Sequence, residues 1–337
     1  MKIAIYGAGA IGGYLGVQLA QVPGVEVSLI ARGAHLAAMR ENGLKLLIGE
    51  QTRVAQITAT DDPQALGPQD YVIVALKAHQ AWEVAERMKP LLDAKTAVVT
   101  CQNGVPWWYF HALEGRFAEQ RLASVDPEDR QWRAIGPQRA IGCVVYPATE
   151  IVAPGIIKHT YGDKFALGEP DGSLSPRSRA LSEALSAGGL KAPLLDNIRD
   201  EIWLKLWGNL CFNPISALTR ATLETVATDP GTRALSRAMM TEAEGIARTL
   251  GADFRVDIER RINGAARVGA HRTSMLQDLE RGRPLEVGAL LTAVQEMGRL
   301  VGAETPYIDA VLALVQQLGR TQGLYPVFPE HRTAAAA

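Results

Sequence analysis

The chain has 337 residues, which is enough for two domains of ordinary size. Hydrophobic residues make up 47% of it and charged residues 21%, proportions that are typical of a globular protein in water. The formal net charge is -1 and no basic patch stands out, which argues against nucleic acid as the main partner.

Membrane insertion, disulfides and metal binding find no support in the sequence. No uncharged apolar segment approaches the roughly 20 residues that cross a bilayer, and the N terminus lacks the pattern of a signal peptide. Cys101, Cys143 and Cys211 are odd in number and far apart, so they suggest neither a disulfide framework nor a metal cluster. We therefore expect a cytoplasmic protein with no membrane partner and no metal.

The first half of the chain alternates short β-rich runs with helical segments. Apolar, β-branched runs predict strands at 2–7, 25–32, 71–76 and 96–102, and a helix is predicted at 11–21. Strands that alternate with helices indicate a parallel, doubly wound sheet.

The pattern changes after about residue 139. Residues 139–168 resemble consecutive strands with Pro/Gly turns, which we expect to be antiparallel and attached to the same sheet. From about residue 176 only helices are predicted, and 188–197 is the expected link between two domains. The fold class is therefore α/β with a C-terminal all-α domain. The predicted helices are 178–187, 198–219, 232–251, 258–269, 284–301 and 306–320.

The stretch GAGAIGG places three glycines in G-x-G-x-x-G register between a predicted strand and a predicted helix. The first glycine permits a tight turn, the second lets the backbone approach a pyrophosphate, and the third lets helix pack on strand. The N terminus of the helix offers unpaired N–H groups to the phosphates. This pattern predicts a Rossmann-type dinucleotide site, with the cofactor contacted by Gly7, Ala8, Gly9, Ala10, Ile11 and Gly12.

The end of the second predicted strand indicates which nucleotide binds. NAD-specific domains usually carry an acid there, whereas this strand ends in LIARG with Arg32. An arginine can bind a 2′-phosphate with two hydrogen bonds, so NADPH is the predicted cofactor. Lys77 and Gln80 follow the 71–76 strand and Asn103 follows the 96–102 strand, at the sheet edge where ligands bind.

The stretch EIWLKLWGNLCFNP combines an apolar helix with a polar stripe. Lys205, Asn209 and Asn213 recur at every fourth position and therefore lie on one helix face. Solvent-facing stripes usually mix Glu, Lys, Arg and Gln, and Asn is a poor helix former. We interpret the stripe as the lining of a pocket.

Several of these motifs together resemble the ketopantoate reductase (2-dehydropantoate 2-reductase) family. They are GAGAIGG, LKAHQ, QNG, IRDEIWLKLWGNLCFNPISAL and TSMLQDLERGRPLEV, and they follow the family order over nearly the whole chain. The resemblance implies NADPH-dependent reduction of ketopantoate to (R)-pantoate in pantothenate biosynthesis. It also implies an NADPH-binding Rossmann domain at 1–190. A helical catalytic domain similar to the C-terminal domain of 6-phosphogluconate dehydrogenase follows at 191–330.

The resemblance also implies roles for single residues. Lys205 is implied as the proton donor, and Glu286 as a second catalytic residue that lies near it and touches cofactor or substrate. The chemistry suits these types, because an ammonium can stabilise charge on a carbonyl oxygen and deliver a proton while a carboxylate keeps it charged. The other implied contacts are Asn103, Asn209, Asn213 and Ser274 to the substrate, and Lys77, Asn103, Ala148 and Glu286 to the cofactor.

Departures from the family pattern leave the substrate open. Leu223 stands where the family often has a substrate-binding Asn, and His271 occupies another position that can be Asn. Glu286 is followed by Val-Gly rather than Ile-Asp, and an aromatic run, 107–110, follows Asn103. A family member acting on a bulkier 2-keto acid, a β-hydroxyacid dehydrogenase and a non-catalytic NADPH-binding redox reporter remain alternatives. The apolar helical domain is compatible with a homodimer.

Overall fold

Residues 1–325 are described by the structure, a computed structural model, and they divide into two compact units. The first unit comprises Met1–Gln102, Trp108–Gln120 and Arg130–Ile198. The second comprises Asn103–Trp107, Arg121–Asp129 and the chain from Arg199 onward.

Within residues 1–325, every strand lies before residue 169, and helices make up the part that follows. The strands are β1 Lys2–Tyr6, β2 Glu26–Ile30, β3 Leu44–Ile48, β4 Gln51–Ala55, β5 Thr58–Thr60, β6 Tyr71–Val74, β7 Ala97–Thr100, β8 Ala140–Val145, β9 Ala148–Ala153, β10 Ile156–Tyr161 and β11 Phe165–Gly168. The helices are α1 Ala10–Leu19, α2 Gly33–Asn42, α3 Ala78–Ala81, α4 Arg130–Ile135, α5 Pro176–Ala187, α6 Ile198–Thr219, α7 Leu223–Thr228, α8 Pro230–Thr249, α9 Ile258–Ala266, α10 Ser274–Glu280, α11 Ala293–Val301 and α12 Pro306–Thr321.

The main sheet has the order β11-β8-β7-β6-β1-β2-β5, and every neighbouring pair is parallel except β11 with β8. Its central strands β6, β7 and β8 are buried along their full length, as expected for a parallel sheet covered on both faces. The predicted doubly wound α/β fold with a C-terminal helical part is confirmed.

The prediction that 139–168 forms antiparallel strands on the same sheet is wrong in part. β8 and β11 do join the main sheet, but β9 and β10 form a separate sheet with β3 and β4, in the order β4-β3-β10-β9. The physical reason is that β9 and β10 carry charged side chains, Glu150 and Lys158, which the buried main sheet would have to enclose. β9 accordingly has no fully buried residue, whereas β11 is buried throughout. The small sheet packs on α1, where a Cβ added to Gly13 would lie 2.8 Å from Ile157 Cγ1.

The predicted helix 198–219 is confirmed at both ends, although Pro214 lies inside it. Its tryptophans anchor it in the second unit: Trp203 and Trp207 are fully buried, and Trp207 Nε1 donates to the Met240 carbonyl at 3.0 Å. The predicted helix 284–301 is shorter than expected. It begins as a π-helical turn at Gly288–Thr292, which leads into α11. No helix within the described range 1–325 is both long and apolar enough to span a bilayer.

Candidate active site

The glycine loop of the first unit has the form that a dinucleotide requires. Gly7 has a φ of +98°, and a Cβ added to it would lie 2.7 Å from Leu76 Cδ2. A Cβ added to Gly12 would lie 2.1 Å from the Gly7 carbonyl oxygen, so this glycine permits α1 to pack on the loop. The first and third glycines are therefore required by the fold itself.

The second glycine is different, because among the described residues no atom outside its two chain neighbours lies within 4 Å of a Cβ added to Gly9. Its φ is -72°, which any residue can adopt, and it caps the N terminus of α1. Neither packing nor backbone conformation therefore explains a glycine here. The open space at the start of α1 fits the close approach of a pyrophosphate.

Three of the other predicted cofactor residues of the first unit lie near the end of a strand, and the fourth, Gln80, lies in a helix. Arg32 is exposed and caps α2 directly after β2, and Lys77 caps α3 after β6. Gln80 lies in α3 and is half-buried. Ala148 opens β9 of the small sheet, where it pairs with Tyr161.

The polar stripe of α6 meets the Asn103 turn within the second unit. Lys205 Nζ donates a hydrogen bond to Asn103 Oδ1 at 2.7 Å, although 102 positions separate the two residues. Both residues are half-buried. The sequence predicts Lys205 from helical spacing and Asn103 from its place after a strand, and in the structure the two residues form one pair.

A second pair involves the other end of the stripe. Asn213, which is 6% exposed, donates from Nδ2 to Ser274 Oγ at 3.3 Å. Ser274 is exposed and is the first residue of α10, directly after the N-cap Thr273. Asn209 lies between Lys205 and Asn213 on α6 and is half-buried.

The segment after Glu286 supports the Asn103 turn. Gly104 has a φ of +90°, and a Cβ added to it would lie 2.4 Å from the Ala289 carbonyl oxygen. The Val105 N–H donates to that same oxygen at 2.9 Å. Glu286 is half-buried and precedes the π-helical turn, so it lies outside the helix that the sequence predicts to begin at residue 284. The backbone just beyond Glu286 therefore contacts the backbone just beyond Asn103.

Two of the departures from the family pattern, Leu223 and His271, are neighbours in the second unit. The Leu223 N–H donates to the His271 carbonyl at 2.8 Å. The aromatic run Trp107–Phe110, by contrast, is buried, with no residue more than 4% exposed. Its residues pack in the interior and present no surface to a substrate or a second subunit.

His79 was given no role from the sequence. Both of its ring nitrogens are buried and lack a hydrogen-bond partner among the described residues. Burial lowers its pKa to about 4, and the positive charge of Lys77 acts in the same direction. His79 is therefore neutral at pH 7.

Taken by their chemistry, these groups define a nicotinamide-dependent oxidoreductase. The first unit offers a phosphate-binding loop with a cation after β2, and the second offers an amide-bound ammonium with further amides and a hydroxyl. No group of three or more His, Cys, Asp or Glu that could hold a metal occurs within residues 1–325.

Comparisons with known proteins give the family. The family model described as ketopantoate reductase PanE/ApbA matches residues 3–172, and the model described as its C terminal matches 197–319. A 2-dehydropantoate 2-reductase from Mesorhizobium japonicum is 55% identical over 325 residues, covering 96% of this chain and 100% of that protein.

Solved structures of ketopantoate reductases are also similar to this chain. One from Ralstonia solanacearum MolK2 has a TM-score of 0.92 at 42% identity, covering 96% of this chain and 99% of its own. A PanE/ApbA family ketopantoate reductase from Ralstonia eutropha JMP134 has a TM-score of 0.82 at 29% identity, covering 96% and 100%. The chain belongs to the ketopantoate reductase family, whose members are oxidoreductases acting on CH–OH groups and typically use NADPH.

Proposed function

We propose that this chain reduces 2-dehydropantoate to (R)-pantoate with NADPH and that Lys205 is the proton donor. The observation that carries this proposal is the 2.7 Å hydrogen bond from Lys205 Nζ to Asn103 Oδ1. It joins the two residues whose types suit the reacting carbonyl best, an ammonium and an amide.

Lys205 has the chemistry that the reduction of a 2-keto acid requires. When the keto group is reduced, negative charge builds on its oxygen, and a positioned ammonium both stabilises that charge and supplies a proton. Asn103 Oδ1 fixes the direction of the Lys205 Nζ–H bonds without adding charge. Glu286 would keep the ammonium charged in a half-buried site.

Cofactor binding is assigned to the glycine loop. Gly7–Gly12 would hold the pyrophosphate, Arg32 the 2′-phosphate, and Lys77, Gln80 and Ala148 further parts of the nucleotide. Bound NADPH supplies the hydride to the carbonyl carbon. Asn103 and Glu286 would contact the cofactor as well as the substrate.

Substrate binding is assigned to the remaining polar groups of the second unit. The carboxylate and hydroxyl of 2-dehydropantoate are satisfied by amide and hydroxyl donors, which Asn209, Asn213 and Ser274 provide. The Asn213–Ser274 hydrogen bond orients both side chains before a ligand arrives. The small molecule is thus held by neutral groups around one cation.

Replacing Lys205 tests the proton-donor role. We expect Lys205→Met to lower kcat with NADPH and 2-dehydropantoate on the order of 10²–10⁴-fold, because a proton donor and its charge are removed. The Kd for NADPH, measured by fluorescence titration, should stay within about twofold. Lys191→Met is a matched control, since Lys191 is exposed and pairs with Asp163. Wild-type turnover by Lys205→Met would remove Lys205 from the mechanism.

Substrate identity needs its own test. Burial of Trp107–Phe110 removes one reason to expect a bulkier substrate, but Leu223 beside His271 still replaces two expected amides. A panel of 2-keto acids with NADPH, followed by cofactor absorbance, separates these cases. We expect the highest kcat/KM for 2-dehydropantoate. A higher kcat/KM for an aromatic or longer 2-keto acid would reassign the substrate and leave the role of Lys205 intact.

A homodimer and a cytoplasmic location complete the proposal. Tyr307 and Leu314 of α12 are 51% and 60% exposed and lie seven residues apart on one helix face, which suits a contact with a second copy. Cys101, Cys143 and Cys211 are free and buried, as in proteins of reducing compartments. Light scattering coupled to size-exclusion chromatography tests the dimer.

A further inference from the structure

We propose that His35 is a positioning residue that holds the glycine loop in its cofactor-binding shape by tying it to the small second sheet. The inference rests on the proposed binding of NADPH at that loop. His35 lies in the first turn of α2, three residues beyond Arg32. It does not belong to the G-x-G-x-x-G motif, and nothing in its sequence context marks it.

Both ring nitrogens of His35 are used by backbone groups. His35 Nε2 lies 2.8 Å from the Ala8 carbonyl oxygen, and the Gly155 N–H donates to Nδ1 at 2.9 Å. A carbonyl can only accept and an amide N–H can only donate, so these partners assign the neutral ring with its proton on Nε2. The imidazole is thus a neutral bridge between two backbone segments.

One end of the bridge sets the orientation of a peptide in the phosphate-binding loop. The Ala8 N–H donates to the Ile30 carbonyl at 3.0 Å, and the Ala8 carbonyl accepts from His35, so both backbone groups of Ala8 are fixed. In a trans peptide the carbonyl and the next N–H point in opposite directions. Fixing the Ala8 carbonyl towards α2 therefore aims the Gly9 N–H away from α2. Within residues 1–325 no backbone carbonyl accepts from this N–H, which can therefore donate to a phosphate.

The other end of the bridge is rigid. Gly155 lies between β9 and β10 with a φ of +74°, and a Cβ added to it would lie 3.0 Å from Ala38 Cβ. Its carbonyl accepts from the Lys45 N–H of β3 at 2.9 Å. A glycine is therefore required here, both for the backbone conformation and for the approach of α2. His35 holds the loop against a fixed point of the small sheet.

Replacing one ring nitrogen at a time separates this role from simple packing of α2. The amide nitrogen of Gln reaches about as far from the backbone as His Nε2, so His35→Gln can still donate to Ala8. The amide oxygen of Asn lies near the position of Nδ1, so His35→Asn can still accept from Gly155 but does not reach Ala8. His35→Leu keeps bulk and loses both hydrogen bonds.

The experiment measures the Kd for NADPH by fluorescence titration of the full chain, with melting temperature and steady-state kinetics alongside. We expect His35→Leu and His35→Asn to raise the Kd about five- to tenfold, as the loss of one hydrogen bond predicts, and His35→Gln to stay within about twofold. The KM for NADPH should rise in parallel, while kcat at saturating NADPH stays within about twofold. His111→Leu is the control, because His111 pairs with Glu119 instead.

Three results would overturn the inference. One is an unchanged Kd in His35→Leu. Another is retention of affinity by His35→Asn together with its loss in His35→Gln. The third is a rise in Kd that follows the fall in melting temperature across all three variants. Failure of the unaltered chain to bind NADPH would be a different result, since it removes the proposed function and this inference with it.

Discussion

Gly7, Gly9 and Gly12 belong to one motif, but the reason for a glycine differs at each of the three positions. Gly7 makes room for a backbone conformation and for Leu76, and Gly12 makes room for the Gly7 carbonyl. Of these three glycines, Gly9 is the one whose added Cβ would meet no atom of the described chain beyond its own neighbours. At the scale of the residue, Gly9 is explained by a ligand and the other two are explained by the fold.

This difference predicts that one alanine substitution weakens NADPH binding and that another lowers the stability of the fold. Gly9→Ala should leave the melting temperature unchanged and raise the Kd for NADPH at least about tenfold, because the new methyl group occupies the space of the pyrophosphate. Gly12→Ala should lower the free energy of unfolding by about 1–3 kcal/mol, because its Cβ would lie 2.1 Å from the Gly7 oxygen. Thermal unfolding and fluorescence titration measure the two effects.

Gly245→Ala is a suitable control for both variants. Gly245 lies within α8, and no atom comes within 4 Å of an added Cβ. An alanine there should raise helix stability slightly and leave the Kd for NADPH unchanged. If Gly9→Ala bound NADPH as tightly as the unaltered chain, the assignment of the pyrophosphate to this loop would be contradicted.

At the scale of the element, the Asn103 turn depends on the π-helical turn that follows Glu286. Gly104 and Val105 both approach the Ala289 carbonyl, so the turn has little freedom to shift. π-helical turns are rare and occur frequently at functional sites. In this chain the π-helical turn supports the residue that accepts a hydrogen bond from Lys205.

Gly104→Ala should therefore lower kcat through Asn103. The added Cβ would lie 2.4 Å from the Ala289 oxygen, and the φ of +90° is unfavourable for alanine, so the turn must move. A displaced Asn103 no longer orients Lys205, and we expect kcat to fall about 10- to 100-fold. Steady-state kinetics with NADPH and 2-dehydropantoate measure this fall.

Gly115→Ala separates displacement from backbone strain. Gly115 has a φ of +83°, close to that of Gly104, but no atom lies within 4 Å of an added Cβ. It should lose some stability and keep its kcat. Equal losses of kcat in Gly104→Ala and Gly115→Ala would show that the contact with Ala289 does not position Asn103.

The sequence predicts an element correctly when the pattern that indicates it is local in the chain. α6 is predicted at both ends because its apolar pattern is continuous and local. The small sheet is not predicted, because β3 pairs with β10 more than 100 positions away, and no periodicity records such a pairing. The helix predicted to begin at residue 284 begins with the π-helical turn at Gly288, because apolar periodicity indicates that a helix is present but does not locate its first residue.

The same limit applies to the site. Lys205, Asn209 and Asn213 are found through helical spacing, and Asn103 through its place after a strand. The Lys205–Asn103 hydrogen bond depends on long-range packing, so the sequence offers both residues but not the bond. His35 is not predicted because its partners are backbone groups at residues 8 and 155. Every residue has such groups, so no residue type in the sequence indicates these hydrogen bonds.

At the scale of the whole molecule, chain order and spatial unit do not coincide. Asn103–Trp107 and Arg121–Asp129 belong to the second unit, although both precede the last strands of the first. The Glu296 carboxylate explains the second segment, because it accepts from the Ala123 N–H at 2.8 Å and from Ser124 Oγ at 2.6 Å. A single half-buried carboxylate on α11 thus binds a segment that lies more than 160 positions earlier in the chain.

The buried ring of His79 makes the stability of the folded chain depend on pH. Its pKa is lowered from the ordinary 6.5 to about 4 by burial, so between these values the unfolded chain binds a proton that the folded chain excludes. The contribution of neutral His79 to stability is therefore complete above pH 6.5 and is lost as the pH falls towards 4.

We expect the free energy of unfolding to fall by on the order of 2 kcal/mol between pH 7.5 and pH 5 through this residue alone. His79→Leu removes the titrating group and keeps an apolar side chain, so its stability should change less over the same interval. Thermal unfolding of both proteins at the two pH values measures the difference, and His111→Leu controls for the loss of a half-buried histidine that has a carboxylate partner. An equal loss of stability in His79→Leu and the unaltered chain would mean that His79 meets solvent or a polar partner in the folded protein, which contradicts the buried and unpartnered ring described above.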